Sequence, residues 1–124
     1  MPFLADRVLD NGLTILTTEV NRFDICSAEP TTYAAATTTN TLGNRTAPTI
    51  GSPAARSPSG RRVTVAAITS GGTVTANGTA THWALSDTVN SRLLATGALS
   101  SSLAVTTSYS FTTAAFDIGI PGAV

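Results

Sequence analysis

From residue 61 onward the chain alternates. Arg62, Thr64, Ala66 and Ile68 fall on one side of an extended backbone, and Val63, Val65 and Ala67 fall on the other. A period of two is the signature of a strand with two distinct faces. Turn signals punctuate the pattern at Ser70-Gly71-Gly72, at Asn77-Gly78 and at Asp87–Ser91. The runs between them read as strands at 61–68, 73–76, 78–86 and 92–99. After a break at Ser100–Ser102, further strands are expected at 105–107 and 108–120, ending at Gly119 and Pro121. Short strands at such regular spacing predict a mainly β chain, an antiparallel β-sandwich or small barrel.

Composition supports that reading. Thr supplies 23 of the 124 residues, and Thr, Ser and Ala together supply 54. Threonine is β-branched and suits a pleated surface. A mucin-like stalk is also Thr-rich but lacks regular apolar alternation, which this chain has.

The first segment follows a different period. Leu9, Leu13, Leu16 and Val20 are spaced four, three and four apart, and Val8, Gly12 and Ile15 widen the stripe. That is one face of an amphipathic helix over about 4–20, with Asp6 as a candidate cap. Asp10-Asn11-Gly12 is a competing hairpin signal, and glycine inside a helix costs about 1 kcal/mol relative to alanine. The four-position stripe favours the helix.

Between these regions, Phe23, Ile25 and Ser27 alternate with Asp24 and Cys26, giving a strand at 22–27 that Glu29-Pro30 ends. Residues 31–41 read as a flexible connection or a weak edge strand. Residues 43–62 hold Gly43, Pro48, Gly51, Pro53, Pro58 and Gly60. That density of breakers predicts a long loop, with room for a short strand near Thr46–Ile50.

Length predicts one domain over 1–124. Surface scaling leaves roughly two-thirds of the unfolded chain's area to be buried, enough for one modest core. Alanine contributes much of the apolar content and buries little area, so the monomer's margin should be thin and self-association is expected.

Seven Arg balance seven Asp plus Glu, Lys is absent, and charged residues make up 11%. No positive field exists to hold nucleic acid non-specifically. The single cysteine, Cys26, excludes an intrachain disulfide. Asp6 and Arg7 interrupt any apolar leader, and no apolar run is long enough to span a membrane. Synthesis in a reducing cytoplasm is therefore expected. Asn44-Arg45-Thr46 and Asn77-Gly78-Thr79 match the glycosylation triplet through Thr-rich composition alone.

Catalytic patterns are weak. His82 is the only histidine, and its neighbours alternate as a strand, so a structural role beside Trp83 is expected. No Gly-x-Ser-x-Gly elbow occurs. One His and one Cys do not make a zinc set, and no cofactor is expected. Gly71-Gly72 lacks the Lys and Ser/Thr of a phosphate loop. The acids are scattered, and Asp6 and Asp10 read as a solvated helix face. Cys26 reads as a small buried hydrophobe. Arg56, Arg61 and Arg62 form the one charge cluster, and they are the candidate contacts to a partner's carboxylates. The competing reading is a solvated loop with an arginine-anchored strand start. The expectation is a non-enzymatic building block.

Several stretches resemble a family. They are Cys26-Ser27-Ala28-Glu29-Pro30-Thr31-Thr32-Tyr33, Gly60-Arg61-Arg62-Val63-Thr64-Val65-Ala66 and Gly78-Thr79-Ala80-Thr81-His82-Trp83-Ala84-Leu85-Ser86-Asp87. Ser91-Arg92-Leu93-Leu94 and Phe116-Asp117-Ile118-Gly119-Ile120-Pro121 complete the set. Together they resemble small tailed-bacteriophage virion structural proteins of the head-decoration or cement type. The resemblance implies an N-terminal helix followed by a strand and a place in the virion. It also implies the major capsid protein or other virion proteins as partners, with a homotrimer favoured. The Arg/Pro-rich segment 53–62 departs from the group. A tail- or neck-associated protein is the alternative. A carbohydrate- or receptor-binding domain is another, with Trp83, Tyr33 and Tyr109 as its stacking candidates.

Overall fold

One α-helix, one π-helical turn and eight strands form among residues 5–121, the part of the chain that the computed structural model describes. In chain order they are α1 (Asp6–Glu19), β1 (Arg22–Cys26), the π-turn (Ala35–Thr39), β2 (Thr41–Thr46) and β3 (Ala54–Ala55). Then come β4 (Arg61–Val65), β5 (Thr73–Val74), β6 (Gly78–Asp87), β7 (Arg92–Val105) and β8 (Phe116–Ile120). The chain is mainly β and antiparallel, with an N-terminal helix, as the sequence predicts. Its two sheets run β5-β2-β1-β6-β7 and β3-β4-β8. Both are open at their ends, so the barrel alternative does not form among the described residues.

Contacts divide the chain into two compact units. The first takes the residues up to Glu19, Thr49–Ala67 and those from Ala114 on. Here α1 buries Leu9, Leu13 and Leu16, and β4 contributes the fully buried Val63 and Val65. The Asn11-Gly12 pair lies inside the helix, because the leucine stripe outweighs one local turn signal. Thr14 and Thr18 donate their hydroxyls to the carbonyls of Asp10 and Thr14 at 2.7 and 2.8 Å, which removes their polar penalty locally.

The second unit takes Val20–Pro48 and Ile68–Thr113. Register fixes its faces. Phe23 lies opposite Leu85 and Ile25 opposite Trp83, while Asp24 lies opposite Ala84 and Cys26 opposite His82. Both faces at the centre are buried. On one, the Phe23 and Phe111 rings stack with centroids 6.3 Å apart. On the other, Ala36 of the π-turn packs on Cys26 and Ala84, with Leu93 alongside.

Several boundaries differ from the sequence reading. Residues 41–46 form a strand rather than loop, since Gly43 serves a close approach: a Cβ there would lie 2.6 Å from the Thr73 carbonyl oxygen. Of the expected 43–62 loop, residues 47–60 carry only a bridge at Ile50 and the two residues of β3, and the strand expected near 46–50 does not form beyond Thr46, the last residue of β2. Residues 35–39 are the π-turn, held where Thr37 donates its hydroxyl to the Tyr33 carbonyl at 2.8 Å. The strand expected to 68 ends at Val65, and Ile68 instead bridges Thr113. Residues 105–115 add no strand beyond Val105. They turn at Ser108, where φ is 74°, and make isolated bridges through Ser110 and Thr113. The expected break at Ser100–Ser102 is a bulge inside β7. Ala80 pairs with Leu103 and His82 with Ala98, which leaves extra residues on β7.

Candidate interaction surface

The three arginines singled out by the sequence all lie in the first unit, around the β3–β4 hairpin. Arg61 alternates onto the same face as Val63, beneath α1. Its Nε donates to Asp10 at 2.7 Å and its Nη2 to the second carboxylate oxygen at 3.3 Å, with Asp6 at 3.8 Å. The Asp10 hydrogen bond holds its guanidinium in the charged form. Arg62 points to the opposite face. It meets Asp117 at 3.2 Å, the Ala55 carbonyl at 3.0 Å and the Thr64 hydroxyl at 3.0 Å. Arg56 donates to the Ser59 carbonyl at 3.0 Å, and its stem covers Gly119. Each guanidinium thus has acceptors within its own unit, so a partner's carboxylate would have to compete with them. The signal for this was in the helix. Two acids at i and i+4 repel, and Arg61 lies within reach of both.

Charges in the second unit pair the same way. Asp24 is fully buried and accepts two bonds from Arg22, each 2.9 Å, and one from Thr41 at 2.8 Å. Burial raises its pKa, and the Arg22 and Thr41 hydrogen bonds oppose that rise. Arg22 also donates to the Thr37 carbonyl at 3.3 Å, tying the π-turn to the sheet. Asp87 closes the β6–β7 turn. It accepts from Asn90 Nδ2 and from the Val89 amide, both at 2.9 Å, and meets Arg92 at 3.4 Å. These bonds, led by that of Asn90, lower its pKa.

The remaining candidates are placed as follows. His82 is half-buried, its Nδ1 2.9 Å from the Thr81 hydroxyl. Cys26 is buried, and desolvation, reinforced by Asp24, pushes its thiol up to about 12, so no thiolate exists near neutrality. Trp83 is buried, its indole flat on Gly97, where a Cβ would lie 2.6 Å from the ring. Tyr33 is half-buried, and Tyr109 is 69% exposed. Tyr109 borders an open groove of about 240 Å³ that Val74, Leu103 and Val105 help to line. Of the three stacking candidates, only Tyr109 is exposed.

Other exposed apolar side chains are Val8 at 56% and Ile15 at 43% on α1, and Val89 at 81% on the pinned β6–β7 turn. The sequence reading missed them as surface groups. Val8 and Ile15 are seven residues apart, on the flank of the leucine stripe. No described helix is long and apolar enough to cross a membrane. Among the described residues, no three metal-ligating side chains cluster. Comparison with protein-family models, curated proteins and solved structures finds no match.

Proposed function

We propose that this chain is a non-enzymatic structural protein of a tailed-phage particle, a decoration or cement protein that binds the head shell. The observation that carries the reading is the pairing of charge within the chain. Arg22 with Asp24, Arg61 with Asp10, Arg62 with Asp117 and Arg92 with Asp87 neutralise one another locally. What faces outward is rich in hydroxyl and methyl groups, with Val8, Ile15, Val89 and Tyr109 exposed. Such a surface neither steers a charged ligand nor repels its own copies. It suits dense packing beside many neighbours. The resemblance of the sequence to small phage virion proteins points the same way.

The mechanism is binding energy. Each copy bridges adjacent capsid subunits, so the shell must break additional contacts before it yields to internal DNA pressure. The chain is made in the host cytoplasm and retained in the virion, with the major capsid protein as its partner. Particles lacking it should release DNA at a lower temperature than complete ones, and adding purified protein back should restore the difference. Equal release temperatures would remove the cement role. A tail or neck position is the second reading, with the same surface at low copy number. A saccharide-binding role has less support, because Trp83 is buried against Gly97.

A further inference from the structure

Sheet edges are where chains join, and proteins normally blunt them. Among the described residues, three of the four sheet edges are blunted. β3 and β5 have two residues each. β7 shifts register against β6 twice, near Leu93–Leu94 and near Ser100–Ser102. The fourth edge, β8, pairs regularly with β4 through all five of its residues, Phe116–Ile120. Among the described residues, no strand lies on its outer side.

We propose that β8 pairs antiparallel with β8 of a second copy about a two-fold axis at Ile118. The inference rests on the assembly reading above and names one partner, the chain itself. With Ile118 opposite Ile118, Phe116 meets Ile120 and Asp117 meets Gly119. Phe116, Ile118 and Ile120 alternate onto the face of Val63 and Val65, so the apolar set is complementary to its own reverse. The two aspartates never oppose each other, and each keeps Arg62 and Thr64 of its own chain. A register shifted by one residue sets Asp117 against Ile118, and a shift of two sets Asp117 against Asp117.

The helix adds to the match. Gly12 of α1 stands over the end of β8, since a Cβ there would lie 3.7 Å from Ile120 Cδ1. The exposed Val8 and Ile15 flank it. Pairing makes a continuous six-stranded sheet, with both helices on one face and these side chains beside the seam. Such a contact is two-fold, and closes on itself. It differs from the threefold association that the sequence reading favoured.

The test is sedimentation of the full chain over a concentration series. The wild type should pass from monomer to dimer. Ile118→Lys and Ile118→Glu should each be folded by circular dichroism and monomeric, because two like charges meet at the axis. Mixed one to one, the two variants should form a heterodimer. Because Ile118 also packs within its own unit, Ile118→Cys provides the second measurement. Under oxidation it should form a disulfide-linked dimer that the wild type, with Cys26 buried, does not form. A wild type that stays monomeric or forms trimers would overturn the proposal. So would dimers that persist in both charged variants, or an uncrosslinked Ile118→Cys. A monomeric pure protein still found in particles would remove the pairing alone. A dimer absent from particles would remove the virion reading alone.

Discussion

The two sheets are held by different means. The five-stranded sheet is buried on both faces at its centre, and its order rests on close packing: Phe23 on Phe111, Ala36 on Cys26 and Ala84, Trp83 on Gly97. The three-stranded sheet has one apolar face under α1. Its other face is tied by ions and hydroxyls, with Arg62, Asp117 and Thr64 in one chain of contacts. Packing is short-ranged and intolerant of lost volume, whereas exposed ion pairs are weak and screened by salt. The first sheet should therefore resist salt and fail on truncation, and the ionic face of the second should weaken as salt rises.

Phe23→Ala should do the most damage, since it removes a fully buried ring from the centre of the five-stranded sheet. A loss of about 3–5 kcal/mol is expected by denaturant titration, little changed by salt. Arg22→Ala should come next, at about 3 kcal/mol near neutral pH, because it leaves the buried Asp24 carboxylate without its cation. Asp24 has a raised pKa in the fold. Its contribution is therefore full below its unfolded value and is lost as pH rises through the folded one. The Arg22→Ala deficit should shrink in acid, and a deficit independent of pH would contradict this placement.

Asp87 has the opposite sign. Its lowered pKa gives stability that is present above the unfolded carboxylate value and lost as pH falls through the folded one. Asp87→Asn should lower stability at neutral pH and flatten the acid limb of the stability–pH curve, so that variant and wild type converge in acid. In the three-stranded sheet's unit, Arg61→Ala should cost less than either buried change, and its effect should fade at high salt. The smallest expected effect is a gain. Gly12 has a helical interior position and an ordinary 3.7 Å contact waiting for a Cβ, so Gly12→Ala should add up to about 1 kcal/mol. A loss there would mean that the Ile120 neighbour cannot accommodate a methyl group.

Much of this architecture was readable because period carries through to burial. The leucine stripe of α1 and the alternation through 78–86 both became buried faces. Where the reading failed, one residue type served two purposes. Gly43 resembled a loop breaker and proved to be a close-approach position inside β2. Ser100–Ser102 read as a break and became a bulge, because β6 supplies a partner on both sides of it. The alternation of Tyr109, Phe111 and Thr113 did not become a strand, since the Ser108 turn leaves room only for isolated bridges. The arginine cluster was visible, but its acceptors lie far away in sequence: 51 residues separate Asp10 from Arg61. No local pattern encodes such a pairing. The β8 edge was likewise hidden, because which strand ends a sheet depends on topology rather than composition.

The central claim is that this neutral, internally paired surface belongs to a particle component present in many copies. Quantitative mass spectrometry of purified virions, scaled to the major capsid protein, tests it most directly. The account predicts hundreds of copies per particle. A count of about three to a dozen would place the chain in the tail or neck, and its absence from the particle would contradict the virion reading altogether.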